Sequence, residues 1–378
     1  MRIKMFDYVA HYQQDKEAID AAIFQVLESG RLVMGPDVPA FESEFAAYCG
    51  ATYSVAVTSG SAALLLALRA LEIGPGDEVI TVANSDTPTS LAISLAGAQV
   101  VWIDIDPKSY NLNPDLLEAA ITPKTKAILP VHLYGVPAEM KPIMDIAERH
   151  DLAIVEDAAL ATGASYHGKR IGSLGTLTAF STAPGKILDG VGSGGMVNTN
   201  DQTLYQRLNI LRHYGRKRPP YRDTTEAGPK WPTETLEIGY NERLDTIHAA
   251  VLRVRLQRLE PMLSRRRDIA AKYQTLFQHT AVQTQCPPEN SEPAWRFFTV
   301  RVPQRDRIYA ELYKQGIETM LAYLPVNHLD VCYQHLGYVR GSLPATEAFA
   351  DELLALPCHP YLTNEDVEEV AQTLVNLL

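Results

Sequence analysis

Ala153-Ile154-Val155-Glu156-Asp157-Ala158-Ala159, followed further along the chain by Phe180-Ser181-Thr182-Ala183-Pro184-Gly185-Lys186 and by Gly190, Gly192, Gly194 and Gly195, decides how this sequence is read. The first segment is an apolar strand that ends on an acid. The second is another apolar strand that ends in a proline-glycine turn carrying a lysine, before Met196-Val197 resume a strand pattern. A lysine in that setting points into structure rather than off a solvated face. An amine held by glycines, with a carboxylate on a neighbouring strand, is the pair that pyridoxal phosphate requires. The lysine holds its aldehyde as a Schiff base, and the acid keeps the ring nitrogen protonated so that the ring acts as an electron sink.

Working outward, the apolar runs Ser54–Val57, Glu78–Ala83, Gln99–Ile105, Ala127–Leu133, Ala153–Asp157, Leu177–Thr182 and Gly195–Thr199 read as seven buried strands. Amphipathic stretches such as Ala62–Leu71, Met140–His150 and Leu204–Arg212 lie between them. The expected class is α/β, a mostly parallel seven-stranded sheet with helices on both faces. Asn113-Pro114 should open a helix, and Gly215 should close the one carrying Leu211 and Arg212. A long helix is expected from Thr246 to Phe277, with Leu252, Leu256 and Leu259 at helical spacing. Residues 1–245 then form the large domain, and 246–378 form a linking helix and a smaller α+β domain containing Phe297–Val302 and a helix over Glu365–Leu378.

Composition narrows the function classes. The chain has 378 residues, 46% of them hydrophobic, and a formal net charge of −11, which argues against general nucleic-acid binding. With no run of about 18 apolar residues and no apolar leader after Met1, a cytoplasmic protein without membrane association is expected. Cys49, Cys286, Cys332 and Cys358 lack metal-ligand or disulfide spacing and read as buried thiols, so no metal is expected. No GxGxxG follows the first strand, which argues against a dinucleotide-dependent oxidoreductase.

Three further features suit a phosphorylated ring. Thr58-Ser59-Gly60-Ser61 joins a strand to a helix, where N–H groups of Gly60, Ser61 and Ala62 would face an anion; the alternative is a plain capped turn. Asp157 and Ala159 share a face if both lie on one strand, so the small alanine would let a ring lie flat beside the acid. Ser181 could add a hydroxyl to the phosphate.

Glu156-Asp157-Ala158-Ala159, Gly163-Ala164-x-Tyr166-x-Gly168, Gly172-Ser173-x-Gly175, Phe180-Ser181, Lys186 and Gly239-Tyr240-Asn241-x-Arg243-Leu244-Asp245 together resemble the DegT/DnrJ/StrS sugar aminotransferases. The likeness runs from Gly35-Pro36 and Phe41-Glu42 to Leu356-Pro357-x-His359-Pro360. It implies a fold-type I pyridoxal phosphate enzyme, a homodimer with active sites at the subunit interface. Lys186 matches the Schiff-base lysine, Asp157 the pyridinium partner, Gly60 and Ser61 the phosphate turn, Ser181 a phosphate ligand, and Asn241 the asparagine that reaches the phosphate from the partner subunit. Two positions depart from the family pattern. Asp86 stands where an aromatic residue usually stacks on the ring, and either caps a helix or faces the substrate. Leu160 replaces a glutamine or histidine.

The implied reaction moves an amino group from glutamate or glutamine to a keto-sugar, a nucleotide-linked keto-deoxysugar in the first reading. The alternatives are a free cyclitol ketone of the inosose type, a sugar dehydratase or lyase on the same fold, and a non-catalytic regulator. A diphosphate would need cations. Arg212, Arg216, Lys217 and Arg218 form the richest cluster, with Tyr221 and Trp231 nearby in the proline-rich segment Pro219–Pro232. Arg31, Tyr323 and His328 are the remaining candidates for the sugar pocket; the family often has histidine where this chain has Asn327.

Overall fold

The computed structural model describes residues 1–217 and 234–378; Arg218, Tyr221, Trp231 and the Pro219–Pro232 segment lie outside the described residues. Helices are α1 Tyr8–Ser29, α2 Asp37–Cys49, α3 Gly60–Ala70, α4 Thr87–Ala96, α5 Leu117–Ala120, α6 Met140–Arg149, α7 Gln202–Leu211, α8 Thr246–Leu256, α9 Leu259–Phe277, α10 Arg305–Lys314, α11 Pro344–Glu352 and α12 Asn364–Asn376. Strands are β1 Tyr53–Val57, β2 Glu78–Thr81, β3 Gln99–Trp102, β4 Thr125–Ile128, β5 Ala153–Asp157, β6 Ser165–Tyr166, β7 Lys169–Arg170, β8 Leu177–Ser181, β9 Gly195–Thr199, β10 Gln283–Thr284, β11 Ser291–Glu292, β12 Phe298–Arg301 and β13 Leu353–Leu356.

All seven expected strands enter one sheet, ordered β1-β9-β8-β5-β4-β2-β3. Only β9 runs against its neighbours; the remaining pairs are parallel. Continuous apolar runs are what such a sheet demands, because helices cover it and few residues can be polar. Four strands stop earlier than their apolar runs, at Thr81, Trp102, Ile128 and Ser181. Beyond those points the chain keeps single bonds to the sheet, such as Leu129 N–H to Ile80 at 2.7 Å, without continuing the ladder. Helix α3 packs on β8, β9 and β5. The register sets Ser181 beside Gly195 and Gly195 beside Val57, while Asp157 pairs with Ala179. The ends of β1, β5 and β8 therefore form one rim, the carboxyl edge where α/β sheets bind ligands.

The long helix divides into α8 and α9. Pro261 explains the break: in a continuous helix its ring would collide with the Gln257 carbonyl, whereas in the first turn of α9 its missing N–H costs nothing. Asn113 caps a short 3-10 turn, accepting from the Asp115 N–H at 3.0 Å, and α5 follows it. Gly215 lies past the end of α7, which finishes at Leu211. It still bonds back to the helix, its N–H to Ile210 O at 3.0 Å and its φ at +69°, and close approach also demands a glycine, since a Cβ there would fall 1.7 Å from the Glu237 carbonyl oxygen.

A second apolar cluster gathers Ile269, Tyr273 and Phe277 of α9, Phe298 and Val300 of β12, Leu354 and Leu356 of β13, and Val367, Val370 and Leu374 of α12. Ile3 joins it, with its N–H bonded to Gly316 O at 3.0 Å. Cys49 and Cys358 are buried thiols, but Cys286 and Cys332 are exposed, contrary to expectation. Among the described residues, no helix is long and apolar enough to cross a membrane.

Arg212 is buried to 1% exposure and ties three elements together. Its Nη1 pairs with Glu42 of α2 and donates to Ala56 O of β1 at 2.8 Å, while Nη2 donates to Asn209 Oδ1 at 2.6 Å. Glu42 also accepts from the Ala56 N–H at 2.7 Å. Both groups have left water, so breaking the pair is costly. Glu42→Gln should therefore lower stability by about 3–5 kcal/mol in denaturant titration, whereas Glu260→Gln, at the exposed pair with Arg170, should change it by less than about 1 kcal/mol.

Candidate active site

β8 delivers the chain into a tight turn, Ala183-Pro184-Gly185-Lys186, closed by the Lys186 N–H to Ala183 O at 3.1 Å. Proline second and a glycine at φ +82° third are the requirements of a type II turn. Asp189 fixes it from below. Its Oδ2 accepts the Gly185 N–H at 2.8 Å, and its Oδ1 meets Arg255 Nη1 at 2.6 Å and His11 Nε2 at 2.8 Å. The glycines that follow make room for the His248 ring: a Cβ on Gly190 or Gly194 would lie 2.2 or 2.6 Å from its Nε2. Lys186 itself makes no side-chain hydrogen bond or ion pair among the described residues. Burial lowers its pKa, and the Arg296 guanidinium lowers it further.

Asp157 ends β5 at 5% exposure. Its Oδ2 accepts from the Thr89 hydroxyl at 2.7 Å and its Oδ1 from the Ala159 N–H at 3.1 Å, yet it forms no ion pair among the described residues. Burial raises its pKa, against the pull of those two bonds and of Lys186 and His132. Ala159 is not on the strand, so the shared-face argument fails; the residue lies in the turn beyond β5 and holds the carboxylate through its backbone. Glu156 serves a structural end: it meets His132 Nε2 at 3.0 Å and accepts from Gly175 N–H at 2.8 Å and the Thr178 hydroxyl at 2.6 Å.

Across the rim, Ser59 caps α3 by accepting from the Ala62 N–H at 3.0 Å. The N–H groups of Gly60 and Ser61 are left in the first turn, where no intrahelical carbonyl reaches them. Gly60 presses against Ser181, since a Cβ there would lie 2.7 Å from the serine Cβ. Asp86 does cap α4, accepting from the Thr87 N–H at 2.9 Å, and its charge is also felt by Lys186 and Tyr323. Leu160 is buried. Asn241 is exposed, and its Oδ1 accepts from Arg243 Nε at 3.0 Å and Nη2 at 2.7 Å.

The expected substrate residues separate. Tyr323 reaches the rim, half-buried and within the electrostatic reach of Asp86, Arg296 and Asp157, and desolvation raises its hydroxyl pKa. Arg216 is exposed with its guanidinium 5.3 Å from the Tyr214 ring, which Arg243 also covers at 5.1 Å. Arg31 follows α1 in a loop tied to α8 through the Thr246 N–H to Leu32 O bond of 3.0 Å. Two expectations are corrected. Arg212 is the buried strut described above and has no surface to offer a diphosphate. His328, at 1% exposure, is turned into the core, where Nε2 lies 3.1 Å from Glu347 Oε1. Its neighbour Asn327 instead clamps the loop before Asp86, donating to Ala83 O at 3.1 Å and Ser85 O at 2.6 Å.

The donor set fits pyridoxal phosphate at each point. Gly60, Ser61 and Ser181 offer an anion seat, Asp157 a buried carboxylate for a protonated ring nitrogen, and Lys186 an amine with no competing partner. Fold and donors together define a fold-type I pyridoxal-phosphate-dependent aminotransferase. Comparison with known proteins narrows the class: the chain belongs to the DegT/DnrJ/EryC1/StrS aminotransferase family, whose profile matches residues 13–375. It is 43% identical over 362 residues to the dTDP-3-amino-3,4,6-trideoxy-alpha-D-glucose transaminase of Streptomyces venezuelae, covering 96% of this chain and 92% of that one. A "Pleiotropic regulatory protein" of Geobacillus stearothermophilus is 40% identical, with 99% and 98% covered. The crystal structure of DesV from S. venezuelae superposes with a TM-score of 0.93 at 41% identity, covering 100% of this chain and 98% of that one.

Burial lowers the His248 pKa from 6.5 to about 4. Between those values the unfolded chain binds a proton that the folded chain refuses, so stability falls as pH drops through that window. His248→Asn should flatten this slope by up to about 1.4 kcal/mol per pH unit, as measured by denaturant titration at several pH values. An unchanged slope would show that His248 is protonated in the native state.

Proposed function

We propose that this enzyme transfers the amino group of glutamate or glutamine to a nucleotide-linked keto-deoxysugar, working as a homodimer in the cytoplasm. The observation that carries the reading is the pairing of Lys186 and Asp157 at the carboxyl ends of adjacent strands, Asp157 buried and Lys186 partly so, and neither in an ion pair among the described residues. The substrate class is supported by the S. venezuelae relative, whose name specifies a dTDP-linked amino deoxysugar. Asn241 supports shared active sites, because a residue exposed on its own chain and set beside Arg243 and Tyr214 can serve a neighbouring subunit. Arg216, Arg31 and Tyr323 remain the candidates for the sugar and its diphosphate. The division into 1–245 and 246–378 is kept as the domain assignment, with Ile3 crossing to the smaller part.

When bound, pyridoxal phosphate supplies a carbonyl that carries nitrogen and a protonated ring that accepts electron density. The α3 N-terminus and Ser181 would hold its phosphate, where helix dipole and free N–H groups favour an anion. Asp157 would keep the proton on the ring nitrogen, and its own bonds from Thr89 and Ala159 prevent it from rotating away. Lys186 then acts as the base: its lowered pKa leaves more neutral amine at physiological pH, able to take the donor's α-proton and return it within the same small space. The second half of the cycle runs these steps backwards on the keto-sugar.

Lys186→Ala should remove turnover by at least about 10²–10⁴-fold through loss of the base alone, with glutamate and a panel of nucleotide-linked keto-sugars as substrates and mass spectrometry as the readout. A new amino sugar from the wild type and none from the variant supports the proposal. Equal product from both, or wild-type product only from an inosose, would overturn it.

A further inference from the structure

Arg296 has a setting that the reaction scheme above leaves unexplained. It stands between Trp295 and Phe297, with its backbone N–H bonded to Tyr134 O at 2.8 Å. Its guanidinium is sandwiched, 3.7 Å from the centroid of Phe6 and 4.4 Å from that of Phe297, and the residue is 4% exposed. Nε and Nη1 are buried with no hydrogen-bond partner, and no carboxylate pairs with the group among the described residues. Asp189, the nearest acid on the Lys186 turn, is already engaged by His11, Arg255 and the Gly185 N–H.

A buried guanidinium without an anion carries a desolvation cost that the fold does not recover by itself. The group is held by its aromatic walls beside the turn that carries Lys186. A Cβ on Gly185 would lie 3.1 Å from Arg296 Nη2 and 2.7 Å from the Tyr8 hydroxyl, so both reach the residue immediately before Lys186. Tyr323 adjoins the same guanidinium. The planar fork of an arginine matches a carboxylate through two parallel N–H bonds.

We propose that Arg296 is the docking point for the α-carboxylate of the amino-acid donor. Distance along the ligand separates this from other anions. The α-carboxylate carbon of an amino acid is two covalent bonds from the amine that must replace Lys186, so it falls beside Lys186 whenever that amine is in place. The diphosphate of a nucleotide sugar is joined to its anomeric carbon, away from the ketone being aminated. The cofactor phosphate has its own seat at Gly60, Ser61 and Ser181. Arg296 thus selects α-amino acids as donors over simple amines, and its positive charge, close to the donor ammonium, favours loss of the ammonium proton near Lys186. The inference rests on the aminotransferase reading.

The test compares L-glutamate with its α-amide as donor. The wild type should lose about 10²-fold in kcat/KM with the amide, chiefly in KM, because a buried charge is left unpaired. In Arg296→Gln the two donors should come within about threefold of each other, and Arg296→Lys should keep part of the preference. Calorimetric titration with L-2-hydroxyglutarate, which has the carboxylate but no amine to transfer, should show binding weakened by about 30-fold in Arg296→Gln. Wild-type discrimination below about threefold overturns the proposal whether or not either variant folds. Undiminished discrimination in Arg296→Gln or Arg296→Lys, with unchanged hydroxyacid binding, places the carboxylate elsewhere and also overturns it. Wild-type enzyme preloaded with pyridoxamine phosphate and mixed with a keto-sugar checks the sugar reading separately, since that half of the cycle uses no donor.

Discussion

A carboxylate buried at the tip of a central strand is the constraint around which this molecule is arranged. Asp157 emerges where β5 ends between β4 and β8, supported by one hydroxyl and one N–H and by no cation in contact among the described residues. Lys186 faces the same rim with its own burial cost, and Arg296 adds a third ionisable group without a counter-ion. Each would gain a partner from a different part of one assembly: a protonated ring nitrogen, an aldehyde, and an amino-acid carboxylate. The chain holds these groups in place by spending packing stability elsewhere, as is usual where chemistry needs unpaired charge.

That stability has identifiable sources. Asp189 anchors the lysine turn through Gly185 and is itself held by Arg255 of α8 and His11 of α1, so two distant helices share in fixing Lys186. His248 fills the space the glycines leave. Asn327 grips the loop ahead of α4, which Asp86 caps and which carries Thr89, so a residue of the C-terminal part helps set the hydroxyl that meets Asp157. The Arg212–Glu42 pair joins α2, β1 and α7 and keeps the strand that leads to Gly60 in register.

The sheet was legible because its strands are buried along their whole length and so read as unbroken apolar runs. Lys186 and Asp157 were legible because charged residues that close such runs, among glycines, have few structural uses. Arg212 and His328 misled for the opposite reason: a charged side chain looks available for ligands until the fold brings Glu42 or Glu347 against it. Arg296 escaped notice because it lies just ahead of the expected strand Phe297–Val302, and nothing in the sequence shows that Phe6, near the start of the chain, joins Phe297 in enclosing its guanidinium. Ala159 failed because a shared face required the strand to run two residues past Asp157, where β5 ends just as its apolar run does. Pro261 carried a visible signal, but the helical spacing of Leu252, Leu256 and Leu259 ahead of it runs straight through the break between α8 and α9.

The most direct test of the central claim is chemical. Holoenzyme reduced with sodium borohydride, digested and mapped by mass spectrometry should carry the cofactor's added mass on the peptide containing Lys186. A label on any other lysine, or none at all, would contradict the account.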